Sequence, residues 1–393
     1  MRHYRVVIAG AGPGGAAAAI ALAQRGIDDV LLLDRDPFPR DKTCGSGLSP
    51  NALKVIDELG LGAEVRERAY PIDSVRIVTP AKKEMLLSSN AAAVVLLRRH
   101  FDHMLVQRAQ KLGVTLETGF RADQLLHDGS GRVVGVKGFD GQERRGDFVF
   151  CADGAQSIFT QDKRPKRSIS TLMGWWENVD VAPRQLDMIF DKNVAPLYGW
   201  MFPETDRRVN IGICIDGQDE GGTKTKKPLK ATFEQFLAEH YGAALSKATP
   251  VGKLKGHPIV YTNWVRDCTR AGALYLGEAA RVTHNATGEG IFQAMQSGIF
   301  AAEAVRRVVK GEETEAEAWS GYLWQHRKRF TAGALGGLLL RAVVDSTLLD
   351  RVAGAYNNPT VRKLVVTLLG SALAGSAVAE AETEPKNDQK RAA

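Results

Sequence analysis

Apolar and polar positions follow two different rhythms along this chain. Residues 4–9 form an almost unbroken apolar run, as a strand buried on both faces requires. Glycines follow at once. An alanine-rich stretch from Ala16 to Arg25 then has helical character and stops at Gly26, and residues 30–34 are a second buried run. Strand, glycine turn, helix and strand within about 30 residues make a βαβ unit, whose strands run parallel. Further on, residues 49–61 predict a helix with Ser49 as N-cap and Pro50 at its first position. Strands are predicted at 75–78, 94–98, 114–117, 133–139 and 148–152. A helix is predicted over 101–112 and a turn at Asp140 and Gly141.

The second rhythm begins near Ile169 and lasts to Tyr261. Trp175, Trp176, Met188, Phe190, Trp200, Phe202, Val209, Ile211 and Ile213 fall on short, partly alternating segments. That pattern predicts a mostly antiparallel sheet in a layer of its own. The buried-strand style returns at 273–277, and helices are predicted over 291–309, 315–330 and 335–378, the last broken at Asn357, Asn358 and Pro359. The reading is an α/β chain: a Rossmann-like βαβ domain with an inserted, mostly antiparallel β-sheet domain and C-terminal helices. The βαβ domain takes 1–74, 95–165 and 270–330, and the inserted sheet domain 75–94 and 166–269. Helices fill 331–379, and 380–393 is a polar, disordered tail.

Composition narrows this picture. With 393 residues the chain has room for two or three structural units, and 44% hydrophobic against 25% charged residues excludes a largely disordered protein. Four widely spaced cysteines, Cys44, Cys151, Cys214 and Cys268, form no CxxC pair. They exclude a disulfide scaffold or zinc ribbon and fit a reducing compartment. The net charge of +7 is modest, and part of it sits in two loop-like runs at 163–167 and 224–230. Neither run interleaves aromatics, so no nucleic-acid partner is expected. His100 and His103 lie one helical turn apart without a third ligand, so no metal is expected. The N-terminus has no signal-peptide character, and no stretch reaches the about 18–20 apolar residues of a spanning helix. The expectation is a cytoplasmic protein. An interfacial contact through the C-terminal helices, which mix apolar runs with Arg341, Arg351, Arg362 and Lys363, is the alternative to simple packing.

The candidate chemistry starts at the glycine turn. Gly10, Gly12 and Gly15 are spaced G-x-G-x-x-G directly after a strand and open a helix. Gly10 permits the turn, Gly12 lets backbone approach a diphosphate, and Gly15 lets helix and strand pack closely. Asp34 ends the second strand, where an acid meets ribose hydroxyls. Two later strands end in Asp153-Gly154 and in Gly277-Glu278, the latter followed by Thr287, Gly288, Glu289 and Gly290 opening a helix.

With these segments the chain resembles the FAD-containing oxidoreductases of the para-hydroxybenzoate hydroxylase fold. It is most similar to their geranylgeranyl reductase branch, which has monooxygenase and halogenase relatives. The resemblance spans roughly residues 4–310. It implies that Gly10, Gly12, Gly15, Asp34 and the neighbouring Arg35 hold the ADP half. Arg98 would contact the flavin chain or diphosphate, Asp153 and Gly154 the diphosphate, and Glu278 the ribityl hydroxyls. Gly288, Gly290 and Ile291 would set a helix N-terminus against the flavin pyrimidine. The segment with Cys44, Gly45, Ser46 and Gly47 resembles the branch's Cys-Gly-x-Gly run along the ring, where Cys44 is either a thiol near the reacting atoms or a packing residue. Tyr198, Trp200, Phe202 and Pro203 resemble a substrate-side strand.

Departures from the family pattern are Glu278 in place of aspartate, Glu204 in place of lysine, and Asn285 in place of proline. His284 beside Asn285 either shapes the loop or acts in acid–base chemistry. The expected catalytic set is Cys44, His284, Trp200 and Tyr198. An aromatic wall of Trp175, Trp176, Phe190, Trp200 and Phe202 would favour a hydrophobic small-molecule substrate. No second dinucleotide fingerprint is visible, so NADH or NADPH would serve as a transient reductant over the same flavin. The expected reaction is oxygenation of a prenylated or polycyclic compound in secondary metabolism. Alternatives are reduction of isoprenoid double bonds, halogenation, or a non-catalytic flavin-binding or lipid-carrier protein.

Overall fold

A computed structural model of the chain describes residues 2–160, 167–217, 228–266 and 268–369. Most of the two basic runs, the end of the last predicted helix and the 380–393 tail lie outside the described residues. The chain opens with β1 (His3–Ala9), α1 (Pro13–Gln24) and β2 (Val30–Asp34). β1 and β2 pair in parallel, Val6 opposite Val30, as the βαβ pattern demands. Then come β3 (Gly47–Leu48), α2 (Pro50–Glu58), α3 (Gly62–Arg68), β4 (Tyr70–Val78), β5 (Glu84–Val95) and α4 (Arg98–Lys111). Ser49 caps α2 as its sequence position predicts, its Oγ accepting from the Ala52 N–H at 3.2 Å.

The first sheet is completed by β6 (Thr115–Thr118), β7 (Ala122–His127), β8 (Val133–Gly138) and β9 (Glu143–Cys151). The second sheet continues with β10 (Arg167–Glu177), β11 (Gln185–Ile189), β12 (Gly199–Thr205) and β13 (Arg208–Asp216). After α5 (Leu229–Leu245) it ends in β14 (Thr249–Tyr261). The chain then returns to the first sheet with β15 (Thr269–Arg270) and β16 (Ala273–Tyr275). Next come α6 (Ile291–Val309), α7 (Glu315–His326), α8 (Ala332–Asp345), α9 (Leu348–Gly354) and α10 (Pro359–Leu369).

The first sheet has the order β15-β16-β9-β1-β2-β6, with the β7–β8 hairpin against β9. Its strands from β16 to β6 are parallel. The second sheet runs β14-β10-β13-β12-β11-β4-β5-β3 and is antiparallel except where β11 joins β4. It begins at Tyr70 and takes in Gly47 and Leu48, so the domain limits expected at 74 and 75 cut through one continuous strand. The expected antiparallel region also missed α5, whose Phe233, Phe236 and Tyr241 cover one face of the sheet.

Strand alternation divides this second sheet. Met201, Val209, Ile211 and Ile213 point to the α5 side, whereas Trp200, Met173, Met188 and Cys214 point to the other, where α8 and α9 add Val344 and Leu349. Trp176 packs on Phe233, and Trp175 donates to Glu204 at 2.8 Å. The aromatic wall is therefore narrower than expected, because adjacent residues of one strand face opposite ways.

α7 runs through one π-helical turn (Arg327–Thr331) into α8. His326 lies at that junction with no exposure, its ring among Tyr322, Phe300 and Phe330. Burial pushes its pKa down to about 4. An unfolded histidine titrates near about 6.5, so the unfolded chain takes up this proton first and stability falls as pH drops from there towards 4. A His326→Phe variant should lose that part of the acid sensitivity. Melting temperatures of the two proteins between pH 7 and pH 4 would then converge or cross as the pH falls, and parallel curves would remove His326 from the account.

Candidate active site

One cavity of about 650 Å³ connects the C-terminal edge of the first sheet to the inner face of the second. At its first-sheet end the β1–α1 turn is built as the glycine spacing requires. Gly10 sits at φ +111°, and a Cβ there would strike the Ala152 carbonyl. A Cβ at Gly15 would collide with the Gly10 carbonyl oxygen, so Gly15 is a packing glycine and does not line the cavity. At Gly12 the nearest atom to a Cβ would be Arg40 Nη2, 3.9 Å away. Gly12 is thus bare towards the cavity, and α1 begins there with no side-chain cap on its N-terminal N–H groups.

Asp34 accepts from the Ala11 N–H at 2.9 Å and the Asp36 N–H at 3.0 Å, which fixes the turn to the end of β2. Arg40 reaches Asp34 at 3.4 Å and the fully buried Asp102 at 3.2 Å. Asp102 also takes two hydrogen bonds from Arg98, at 2.6 and 2.8 Å. Two arginines and two aspartates therefore interlock beneath the turn. Sequence reasoning found Arg98 and Asp34 but not Arg40 or Asp102. The i,i+4 spacing of Arg98 and Asp102 was the available signal.

Among the described residues, Arg40 Nε and Asp153 Oδ1 are buried without a hydrogen-bond partner. Burial raises the Asp153 pKa above the ordinary carboxyl range. A bare glycine, an open helix N-terminus and an unsatisfied guanidinium nitrogen converge on one space, which suits a dinucleotide diphosphate. Arg35, Gly154, Gly288, Gly290 and Ile291 all line the same cavity, as expected of cofactor contacts.

In the middle of the cavity the Cys44 segment meets the β12 aromatics. A Cβ on Gly45 would lie 3.1 Å from the Phe202 ring and 3.2 Å from Trp200 Nε1, and Gly47 is equally close to Phe202. Trp200 is fixed by its Nε1–H donating to Asn210 Oδ1 at 2.8 Å, and Asn210 in turn donates to the Gly174 carbonyl. Tyr198 donates its hydroxyl to the Thr287 carbonyl, tying the second sheet to the loop before α6. Cys44 Sγ is half-buried on the cavity wall and accepts from the Ser46 N–H at 3.3 Å.

Beside it lies a charged group that the sequence reading did not single out. Lys42 Nζ is 3.1 Å from His257 Nε2. Burial lowers the Lys42 pKa, opposed by the charge of Glu278, and burial raises that of Glu278, opposed by Lys42. Burial and then the Lys42 and Arg98 charges push His257 down to about 4. His257 is therefore neutral near pH 7 while Lys42 is a weakened ammonium. His257 stands on a β-strand far from any motif, so its role was invisible in one dimension. Among the described residues Asp191, Glu239 and His240 also cluster, but Asp191 and His240 bond each other at 3.1 Å and none of the three lines the cavity.

His284 is placed differently from the acid–base role allowed for it. It does not line the cavity. Its Nδ1 accepts from the Thr287 N–H at 3.2 Å, and its ring rests against Gly333 of α8. Asn285 is fully buried and donates to the Ala334 carbonyl at 2.9 Å. Both shape the loop and hold α8, because the small α8 residues leave room for them and the cavity does not.

The sequence matches the FAD binding domain family over residues 3–318. A digeranylgeranylglycerophospholipid reductase of Methanopyrus kandleri is 30% identical, with 92% of this chain and 93% of that protein covered. A menaquinone reductase of Mycobacterium tuberculosis is 29% identical over 76% of this chain and 75% of its own length. A geranylgeranyl bacteriochlorophyll reductase-like protein of Thermoplasma acidophilum superposes with a TM-score of 0.79 at 23% identity, covering 99% and 98% of the two chains.

The two glycines give a paired test. Gly12→Val should fold, because its side chain meets empty cavity, yet purify without the visible flavin spectrum. Gly15→Val should fail to fold, because its side chain meets the Gly10 carbonyl. A folded Gly12→Val protein with full flavin content would show that the diphosphate lies elsewhere.

Proposed function

The chain belongs to the FAD binding domain family and is an FAD-dependent oxidoreductase, and on that premise we propose that it reduces carbon–carbon double bonds in an isoprenoid chain, with NADH or NADPH as transient reductant. The observation that carries this reading is the composition of the cavity beyond Trp200. Ile72, Val75, Leu87, Met173, Leu186 and Met188 line it from four strands, without a charged group among them. Asp73, Ser74 and Ser88 stand beside them on the same strands, Asp73 held by Arg184 at 2.8 Å, so the lining is mostly apolar and receives hydrocarbon. The names of the relatives point the same way, since two of them are a digeranylgeranylglycerophospholipid reductase and a menaquinone reductase. These names turn the balance from the expected oxygenation to reduction.

Bound FAD would accept two electrons and a proton from the nicotinamide and deliver hydride. The chain would hold FAD through the Gly10–Gly15 turn, Asp34, Arg40, Arg98 and Asp153. Cys44, Gly45 and Gly47 provide a flat backbone surface, braced from behind by Trp200 and Phe202. Reduction of a double bond adds hydride to one carbon and a proton to the other. Lys42 Nζ carries a proton at the border between the polar and apolar halves of the cavity, and neutral His257 accepts from it and holds it in place. Cys44 Sγ lies on the same border and orients the bond to be reduced. Closely packed apolar walls exclude water from the reacting carbons.

Turnover with NAD(P)H and a geranylgeranyl substrate under strict exclusion of O2 tests the reaction. The expected product carries two added hydrogens per double bond. An oxygenase would be silent without O2 and would incorporate labelled oxygen when it is supplied. Lys42→Met should retain FAD and lose about 100-fold or more in turnover, the range for removing a general acid. Cys44→Ala should change turnover or product distribution at unchanged flavin content, and an unaltered Cys44→Ala enzyme would leave Cys44 as packing.

A further inference from the structure

Among the described residues the outer face of α8 has no partner in the fold. Trp324, Lys328, Ala332, Leu335, Leu339 and Ala342 follow one another at three- or four-residue steps along the continuous helix formed by α7, the π turn and α8, and all are exposed. Leu335 is 61% exposed and Leu339 67%, and Leu348 beyond the bend adds a third leucine at 48%. Exposed leucines in a continuous row are unlike the scattered apolar residues of an ordinary surface.

The helix carries carboxylates only near its ends, at Glu315, Glu317 and Asp345, and its Arg341 is paired with Asp216. From Ala318 to Val344 there are four cations, Arg327, Lys328, Arg329 and Arg341, and no carboxylate. Two of these cations stand against exposed tryptophans: Lys328 Nζ lies 4.8 Å from the Trp324 ring centroid, and the Arg327 guanidinium 5.5 Å from that of Trp264. Trp324 is 59% exposed and Trp264 47%. Leucines beside a belt of tryptophan and basic residues match the layers of a lipid surface, with acyl chains, then the interface, then anionic headgroups. No single helix among the described residues is long and apolar enough to cross a membrane.

We propose that the outer face of α8 lies on an anionic lipid bilayer, with Leu335, Leu339 and Leu348 in the acyl region and Lys328 at the headgroups. The opposite face of α8 gives the contact a purpose. A Cβ at Gly337 would strike Asn285 Oδ1, and Gly333 lies against His284, so the helix is seated directly on the loop that leads to Thr287 and Gly288 of the cavity wall. Val344 and Leu349 join the same apolar cluster as Leu87 and Met188, which line the cavity. One helix thickness, about 10 Å, thus separates the bilayer from the hydrocarbon half of the site. The inference deepens the isoprenoid reading, from which it takes the lipid nature of the substrate, but docking itself is measured without turnover.

The experiment is co-sedimentation of the full-length, FAD-loaded protein with vesicles of phosphatidylcholine alone and with phosphatidylglycerol added. Wild type should pellet with the mixed vesicles and at least tenfold less with the neutral ones. Leu335→Asp combined with Leu339→Asp should abolish pelleting while flavin content and melting temperature stay unchanged, since both side chains are exposed. Lys328→Glu should weaken binding to the mixed vesicles only. Wild-type pelleting that persists in the double variant would overturn the proposal. So would a wild-type protein that ignores both vesicles, or one that is dimeric in solution through this face and becomes monomeric in the double variant. Intact vesicle binding by an enzyme that reduces no isoprenoid would instead reject the reaction and leave the docking face standing.

Discussion

The structure depends on one close approach, that of the first strand to the first helix. The Gly10 carbonyl oxygen occupies the space that any side chain at position 15 would need. Because Gly15 has no side chain to compete for that space, α1 starts immediately after β1 and points its open N-terminus at the cavity. Ala11 is then close enough to bond Asp34, so the strand order, the helix direction and the acid at the end of β2 are fixed together. A β-carbon at position 15 would push the helix off the sheet and scatter all three. The same economy recurs where α6 crosses α1: a Cβ at Gly298 would strike the Gly14 carbonyl. The nucleotide end of the cavity is therefore rigid before any ligand arrives.

The second sheet solves a different problem. It must carry a packed core on one face and leave room on the other. Alternation does this without special residues on the α5 side, where Val209, Ile211 and Ile213 fill the gap. On the cavity side Gly212 and Asn210 take the intervening positions of the same strand, and a Cβ at Gly212 would strike the Trp200 ring. Trp200 lies across β13 because that strand offers it a glycine to cover and an asparagine to bond. The cavity wall is thus set by β13, a strand that carries no recognisable motif.

This explains which parts were legible in the sequence. The βαβ turn, the Ser49 cap and the parallel pairing all rest on short-range spacing or on motifs, and the structure places them as read. α5 was missed because it lies inside a long stretch of strand-like pattern. Arg40, Asp102, Lys42 and His257 were missed because their meaning lies in cross-chain pairing: His257 and Lys42 are 215 positions apart. His284 was over-read because sequence placed it beside the flavin loop but did not show α8 standing on its other side. Trp176 was over-read because an aromatic residue does not announce which face of a strand it takes.

The distribution of charge along the cavity bears on how a substrate is chosen. An unpaired buried ion costs several kcal/mol, so each one must face an opposite charge. Here Arg40 faces Asp34 and Asp102 and Arg98 faces Asp102 at the nucleotide end, and Lys42 at the border feels the charge of Glu278. The wall from Ile72 to Met188 is mostly apolar and its Asp73 is already held by Arg184, so it compensates a charged or strongly hydrated headgroup poorly. Hydrocarbon, by contrast, gains about 0.8 kcal/mol for each carbon buried, or roughly 4 kcal/mol for a five-carbon isoprene unit. Selection then comes from the length of chain that fits and from the barrier to the headgroup, and it needs no specific hydrogen bond. On the proposed reaction, the double bond that reaches the Lys42 border would be decided by how far the chain can be drawn in before its polar end stops at the mouth.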